Sequence, residues 1–171
     1  MLISARSHKI ERRKMYEKIL VPLDGSELAE SVLPHVEAIA RGCSVVEIIL
    51  LRVCDAPSIL ADYPEGDSRN WEKHVARMTT NAQQQCNIYL GDMEKQLRDR
   101  GFSVKTESRL GKPADEIVDY AAKNKVDLII MASHGRAGVS RWAYGSVADK
   151  VLRSSCVPVL LVKVPGCVTG F

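Results

Sequence analysis

Short runs of apolar or alternating residues recur along the chain and predict five strands. Continuous apolar runs are typical of strands buried on both faces of a sheet, and alternation is typical of strands covered on one face. The predicted strands are KILVPL (18–23), VVEIILLRVC (45–54), FSVKTESRL (102–110), VDLIIMAS (126–133) and PVLLVKV (158–164).

Between the strands, apolar residues recur every three or four positions, which predicts helices. The first helix follows a turn with a good N-cap, Asp24-Gly25-Ser26. Pro34 should bend this helix, because proline removes one backbone hydrogen bond, and Gly42 is the expected terminator. In the longest helix an apolar stripe from Trp71 to Leu97 predicts packing against a sheet. The predicted helices cover 28–40, 71–100, 111–125 and 146–155.

Strands and helices therefore alternate along the whole chain. Such alternation is typical of an α/β fold, and here it predicts an open five-stranded parallel sheet with helices on both faces. The 171 residues suit one domain. We assign residues 17–164 to this domain, residues 1–16 to a polar N-terminal extension and residues 165–171 to a C-terminal tail.

Composition argues against several classes of partner. The net charge is only +3, and two Phe and two Trp are too few for a platform on which bases stack, so we expect no nucleic-acid partner. No stretch approaches about 18 consecutive apolar residues, and the N-terminus lacks the order of a secretory signal. We therefore expect no membrane partner and a cytoplasmic location.

The cysteines number five and form no C-x-x-C pair. A disulfide framework or a zinc site would need pairs at short spacing, so we expect reduced thiols. The cysteines are Cys43, Cys54, Cys86, Cys156 and Cys167.

Three loops follow predicted strands on the side where a ligand would bind. In an open parallel sheet, ligands bind outside the carboxyl ends of the strands, where the strand order reverses. The loops at these ends are Asp24–Ser26, Val53–Ala56 and Ala132–Ser146. They form the candidate pocket.

The last of these loops, in the segment MASHGRAGVSRWAYGS, is rich in glycine. Gly135 and Gly138 would let backbone N–H groups approach an anion, because no Cβ intervenes. Gly145 and Ser146 open the next helix, whose unpaired N–H groups and dipole favour a phosphate. Ser146 and Asp149 also have the spacing of a capping box. From spacing alone, the loop either binds phosphate or only turns the chain.

Motifs of several enzyme classes are missing. The chain has no G-x-x-x-x-G-K-[ST], no G-x-G-x-x-G after the first strand and no G-x-S-x-G. His134 and Asp24 could act as a pair of bases in hydrolysis, but no nucleophile with a motif accompanies them. We predict no catalytic residue.

At these residues the chain resembles the universal stress protein (UspA) family, from about Lys18 to Lys163. The resemblance is carried by KILVPLDGSE, LLRV, GKPADEI and DLIIMASHGRAGVSRWAYGSVADKVLRSSCVPVLLVK. It implies a Rossmann-like fold of the adenine nucleotide α-hydrolase-like type. Nucleotide-binding members carry G-x-x-G-x9-G-[ST], and in this register the four motif positions hold Ala132, Gly135, Gly145 and Ser146. Alanine thus replaces the first glycine of the motif.

The resemblance implies a role for each matching position. Asp24 would meet the ribose or a phosphate-bound Mg²⁺ or Mn²⁺, with no metal held by protein side chains alone. Pro22 and Val53 would surround the adenine, and Met131 and Ala132 would line the base and sugar. His134 would either contact the phosphates or cap the end of its strand. Two further candidates, Arg136 and Arg141, do not come from the resemblance. They are either cations near the phosphates or solvated surface charges. The candidate nucleotide-binding residues are Pro22, Leu23, Asp24, Val53, Met131, Ala132, His134, Gly135, Arg136, Gly138, Gly145, Ser146 and Val147.

The resemblance also implies a homodimer built on the last strand, Pro158 to Val164. It predicts a regulator or sensor of the stress response that binds ATP, AMP or ADP. The alternative is a dimeric stress protein that binds no nucleotide and acts through protein partners, an interpretation that Ala132 favours. An enzyme of the wider superfamily, such as a ligase, would need further motifs such as S-G-G-x-D-S, which the chain lacks.

Overall fold

The computed structural model describes residues 15–54, 68–133 and 144–163. These ranges contain five strands and five helices, and at least one helix lies between each strand and the next. The strands are β1 (Lys18–Pro22), β2 (Glu47–Cys54), β3 (Val104–Leu110), β4 (Leu128–Ala132) and β5 (Val159–Val162). The helices are α1 (Glu27–Glu30), α2 (Leu33–Cys43), α3 (Ser68–Asp99), α4 (Pro113–Lys123) and α5 (Ser146–Ser154).

The strands form one parallel five-stranded sheet in the order β3-β2-β1-β4-β5. Leu20 of β1 pairs with Ile49 of β2 on one side and with Ile129 of β4 on the other. The chain runs outward from β1 to β3 and then returns to the opposite side of β1 for β4 and β5. The strand order therefore reverses between β1 and β4, and the predicted fold class is confirmed.

Each face of the sheet packs against its own helices. The first core lies between the sheet and α1, α2 and α3, and the second core lies between the sheet and α4 and α5. Side chains of one strand alternate between the two cores, as in Ile48 and Ile49. Both faces are apolar, which explains why the central strands read as continuous apolar runs.

Proline divides the first predicted helix, where only a bend was expected. The chain forms α1 and then α2, and Pro34 lies in the first turn of α2. The N–H groups in the first turn of a helix have no hydrogen-bond partner within the helix. Proline, which lacks this group, therefore removes no helical hydrogen bond there. The predicted terminator Gly42 is also wrong, because α2 includes Gly42 and is capped by Ser44 with a left-handed φ of 55°.

The longest helix, α3, has 32 residues and runs beyond the sheet. It is about 48 Å long, whereas a strand of eight residues spans about 26 Å. The predicted apolar stripe is buried only in the second half, at residues such as Met93 and Leu97, while Met78 in the first half is 46% exposed. Gly101, with a φ of +88°, ends the helix as predicted.

The prediction of reduced thiols is wrong for Cys54 and Cys86, which form a disulfide with a Cα–Cα distance of 6.4 Å. Cys54 is the last residue of β2, and Cys86 lies in the middle of α3. Their 32-residue separation gives no local signal, because only the packing of α3 on β2 brings them together. Cys43 and Cys156 are free thiols, and Cys167 lies outside the described residues.

None of the helices within the described ranges combines the length and the apolar character needed to cross a bilayer. Most of residues 1–16 and all of 165–171 lie outside the described ranges. The assignment of these segments as an extension and a tail therefore stays a prediction.

Candidate functional site

The turn between β1 and α1 holds Asp24 at the carboxyl end of the sheet. Oδ1 of Asp24 accepts hydrogen bonds from the Ser26 N–H at 3.0 Å and from the Ser26 hydroxyl at 2.6 Å. Oγ of Ser26 in turn accepts the N–H of Ala29 at 3.1 Å and so caps α1. Asp24 thus organises its own turn, in a position half-buried beside the crevice.

The candidate base-binding residues follow the sheet out to its carboxyl edge. Val53 and Met131 pack with the second core, and the alternation of β1 places Pro22 on the same face as Leu20, another member of that core. Leu23 belongs to the first core and is 2% exposed. The structure thus collects Pro22, Val53 and Met131 on one face of the sheet and separates Leu23 from them.

Ala132, at the position of the first motif glycine, lies in the first core and is 6% exposed. Its neighbour Met131 faces the second core. The methyl group of Ala132 therefore points away from the face that carries Val53 and Met131.

A hydrogen bond joins the two ends of the long loop after β4, Ser133 and Gly145. The N–H of Ser133 donates to the carbonyl of Val162 at 2.9 Å, and the N–H of Gly145 donates to the carbonyl of Ser133 at 2.8 Å. The second bond brings the N-terminus of α5 next to the end of β4. The predicted site residues inside the loop lie outside the described ranges: His134, Gly135, Arg136, Gly138 and Arg141.

Gly145 is the N-cap of α5, with φ −56° and ψ 147°, and Ser146 is the first helical residue. The interpretation of Ser146 as the cap of a capping box is therefore wrong. Asp149 instead accepts hydrogen bonds from Arg153 Nε at 3.0 Å. Any residue can adopt the backbone angles of Gly145, so the turn itself does not require glycine there. Val147 packs at the border of the second core.

Arg52 is a residue at this end of the sheet that the sequence analysis did not single out. Its guanidinium lies over the ring of Tyr89, with Cζ 4.6 Å from the ring centroid. The guanidinium also lies close to Gly25, whose φ is +86° and whose added Cβ would come within 2.9 Å of Nη2. The signal in the sequence was a single cation inside the apolar run VVEIILLRVC.

Tyr89 connects this arrangement to α1, because its hydroxyl donates to Oε1 of Glu30 at 2.9 Å. Burial raises the pKa of the Tyr89 phenol far above its usual value, and the hydrogen bond and charge of Glu30 raise it further. Arg52 has the opposite effect on the pKa of Tyr89, since a nearby cation favours the phenolate.

Within the described ranges, no group of three or more His, Cys, Asp or Glu residues could hold a metal ion. The predicted contact of Asp24 with a phosphate-bound cation stays a prediction.

The chain is similar to known proteins in both sequence and fold. The sequence profile of the Universal stress protein family matches residues 15–163. Universal stress protein MJ0577 of Methanocaldococcus jannaschii is 36% identical over 156 residues, which are 87% of this chain and 96% of that protein. Its solved structure has a TM-score of 0.75 and covers 89% of this chain and 99% of its own.

Two further proteins are similar to this chain, one in sequence and one in fold. Universal stress protein MJ0531 of the same organism is 33% identical over 151 residues, which are 88% of this chain and 84% of that protein. The crystal structure of a universal stress protein in complex with cAMP has a TM-score of 0.53 and 19% identity, and the match covers 87% of this chain and 98% of that one. The chain belongs to the universal stress protein family.

Proposed function

We propose that this protein binds an adenine nucleotide, ATP or else AMP or ADP, at the crevice between β1 and β4, and that it acts as a cytoplasmic regulator or sensor in the stress response. One observation carries the proposal. The hydrogen bond from Gly145 to Ser133 sets the N-terminus of α5 beside the end of β4, where the strand order reverses. Such a helix terminus favours a phosphate, and the crevice at this point favours a nucleotide.

The base and sugar would occupy the edge of the second core. Pro22, Val53 and Met131 offer apolar contacts on one face, and Asp24 lies at the end of β1 to meet the ribose or a phosphate-bound Mg²⁺ or Mn²⁺. The phosphates would extend to Gly145, Ser146 and Val147, and to the loop residues His134, Gly135, Arg136 and Gly138.

Ala132 is compatible with this placement of the ligand. Its methyl group is buried in the first core, so it does not occupy the face on which the base would lie. A relative of this fold was solved in complex with cAMP, which is itself an adenine nucleotide. That complex supports the class of ligand, although at 19% identity the likeness is one of fold.

The protein would bind and release the nucleotide without efficient hydrolysis. Phosphoryl transfer in the common NTPases depends on a lysine that contacts the phosphates and on a residue that positions the attacking water. The chain lacks the G-x-x-x-x-G-K-[ST] motif that supplies this lysine. We expect at most slow turnover.

We expect a homodimer in which β5 of one copy pairs with β5 of the other. This strand pairs with β4 on one side, and Leu160 on it is 37% exposed. An apolar strand at the edge of a sheet tends to pair with another strand, and a second copy of β5 would cover it.

A second candidate function is favoured by the first half of α3. This half runs beyond the sheet and leaves Met78 46% exposed. It could serve as a partner surface in a dimeric stress protein that binds no nucleotide. Protein partners that bind equally well with and without ATP, and to variants altered at Gly145, would support this candidate.

The test is calorimetric titration of the purified, nucleotide-stripped protein with ATP and then with AMP, with and without Mg²⁺. We expect micromolar binding of ATP, which corresponds to about −8 kcal/mol. Equal affinity for AMP would assign the binding energy to the base and ribose. No heat with either ligand, together with an unshifted melting temperature, would contradict the proposal.

A further inference from the structure

We propose that Arg52 is a positioning residue for the nucleotide site: in contact with both Tyr89 and Gly25, its guanidinium holds the β1–α1 turn in the conformation that presents Asp24 to the ligand. This inference rests on the proposed function, since it assigns Arg52 a part in the same site.

The guanidinium of Arg52 lies close to Gly25 and turns its plane toward the glycine. A Cβ placed on Gly25 would be 2.9 Å from Nη2, 3.1 Å from Cζ and 3.2 Å from Nη1 of Arg52. These nearly equal distances mean that the plane of the guanidinium lies face-on to the glycine. Gly25 therefore has two reasons to be glycine, its φ of +86° and the guanidinium that fills the space of a side chain.

The guanidinium also contacts an aromatic ring. Cζ of Arg52 lies 4.6 Å from the centroid of Tyr89, a separation at which a cation and a ring attract each other. Tyr89 is held in turn by its hydrogen bond to Glu30 at 2.9 Å. The stack thus connects β2, α3 and α1 to the turn that carries Asp24.

A covalent link stands next to the stack. Cys54 follows Arg52 by two positions in β2, and Cys86 precedes Tyr89 by three positions in α3, so each cysteine lies beside its stacking neighbour. Their disulfide fastens β2 to α3 at this point. The disulfide therefore limits how far the ring of Tyr89 can separate from Arg52.

The charges at this end of the sheet also favour the arrangement. The carboxylates of Asp24 and Glu30 and the guanidinium of Arg52 all act electrostatically on the Tyr89 hydroxyl. Arg52 thus places one positive charge among two negative ones. Loss of this charge would leave the carboxylate of Asp24 less favourable for an approaching polyphosphate.

The chain offers a matched control for each substitution. Arg41 stacks on Phe102 at 4.9 Å, a similar pair that involves neither β2 nor the β1–α1 turn. Gly101 has a φ of +88°, almost that of Gly25, but its added Cβ would meet no atom within 4 Å. Gly101→Ala therefore reproduces the backbone strain of Gly25→Ala without the clash with Arg52.

The first experiment measures ATP affinity and the melting temperature for these variants. We expect Arg52→Met and Gly25→Ala each to weaken ATP binding about tenfold, while Arg41→Met and Gly101→Ala bind as the wild type does. Gly25→Ala combined with Arg52→Met should bind no more weakly than either single variant, because the clash disappears. Wild-type affinity in Arg52→Met would overturn the proposal.

A lysine separates stacking from charge. Arg52→Lys keeps the cation but loses the planar group, so we expect it to bind ATP more tightly than Arg52→Met and more weakly than the wild type, at an unchanged melting temperature. Full rescue by lysine would overturn the role of the flat stack.

The second experiment needs no ligand and so separates this inference from the proposed function. Hydrogen exchange of the Ser26 amide, which is bonded to Asp24, should become about tenfold faster in Arg52→Met and stay unchanged in Arg41→Met. If the wild type binds no nucleotide, the proposed function fails, and faster exchange would still support the hold of Arg52 on the turn. Unchanged exchange would overturn it.

Discussion

At the scale of single residues, the candidate site depends on groups that leave room as much as on groups that bind. Gly145 has backbone angles open to any residue, so the turn by itself does not explain a glycine there. Ala132 adds a methyl group where the family motif has glycine, but that group is buried in the first core. Sequence matching located both positions, yet only the structure showed that the methyl group of Ala132 faces the first core.

The first prediction concerns Gly145. A leucine at this position should leave the fold intact, because φ −56° suits it, and should abolish ATP binding, because the side chain would occupy the phosphate position. Calorimetric titration measures the loss of binding. Gly91→Leu is the control, since Gly91 lies in α3 and its added Cβ would meet no atom within 4 Å. Unchanged affinity in Gly145→Leu would remove the phosphate site from the proposal.

At the scale of elements, periodicity identified every strand of the described ranges but merged α1 and α2 into one helix. The other errors lie where elements end and in how far they are buried. The bend expected at Pro34 is a break, because proline fits the first turn of a new helix better than the middle of one. The stripe of α3 was expected to be buried throughout, but half of the helix extends past the sheet. Periodicity describes one element, whereas burial depends on the length of its neighbours.

A second prediction concerns the attachment of β1 to β4. Oδ2 of Asp127 accepts the backbone N–H groups of Glu17 at 2.9 Å and Lys18 at 2.8 Å. Asp127→Ala should lower the free energy of unfolding by about 2 kcal/mol, because two N–H groups lose a charged acceptor. Urea denaturation measures the change. Asp119→Ala, which removes only an exposed pair with Lys123, should cost less than about 0.5 kcal/mol. Equal costs would contradict the assigned role of Asp127.

A third prediction concerns the disulfide between β2 and α3. It closes a loop with a sequence separation of 32, so reduction should lower the free energy of unfolding by about 3 to 4 kcal/mol. Urea denaturation with and without dithiothreitol measures this difference. The Cys54→Ser, Cys86→Ser double variant should be insensitive to the reductant, and a wild type equally insensitive would contradict the link.

At the scale of the whole molecule, the order β3-β2-β1-β4-β5 makes β1 and β4 neighbours. It brings the β1–α1 turn and the N-terminus of α5 to the ends of adjacent strands, although residues 24 and 145 are far apart in the chain. The same order leaves β5 at an edge of the sheet, with Leu160 partly exposed. Ligand binding and self-association would therefore use different parts of one sheet.

A fourth prediction follows for assembly. Leu160→Arg should weaken the homodimer at least tenfold, because a charged side chain at the edge strand opposes pairing with a second copy. Analytical ultracentrifugation over a range of concentrations measures the association. Leu152→Arg, on the exposed side of α5, is the control. A dimer as strong as that of the wild type would place the interface elsewhere.

Local patterns along the chain were enough to predict the strands, their parallel sheet and the loops that carry the candidate site. These features depend on periodicity, glycine and capping residues, which act over a few positions of the chain. Three features become visible only in the folded protein: Cys54 meets Cys86, Arg52 covers Gly25 and Ala132 turns into the first core. Each of these joins groups that are distant in the chain or depends on which face of the sheet a side chain takes, and packing alone settles both.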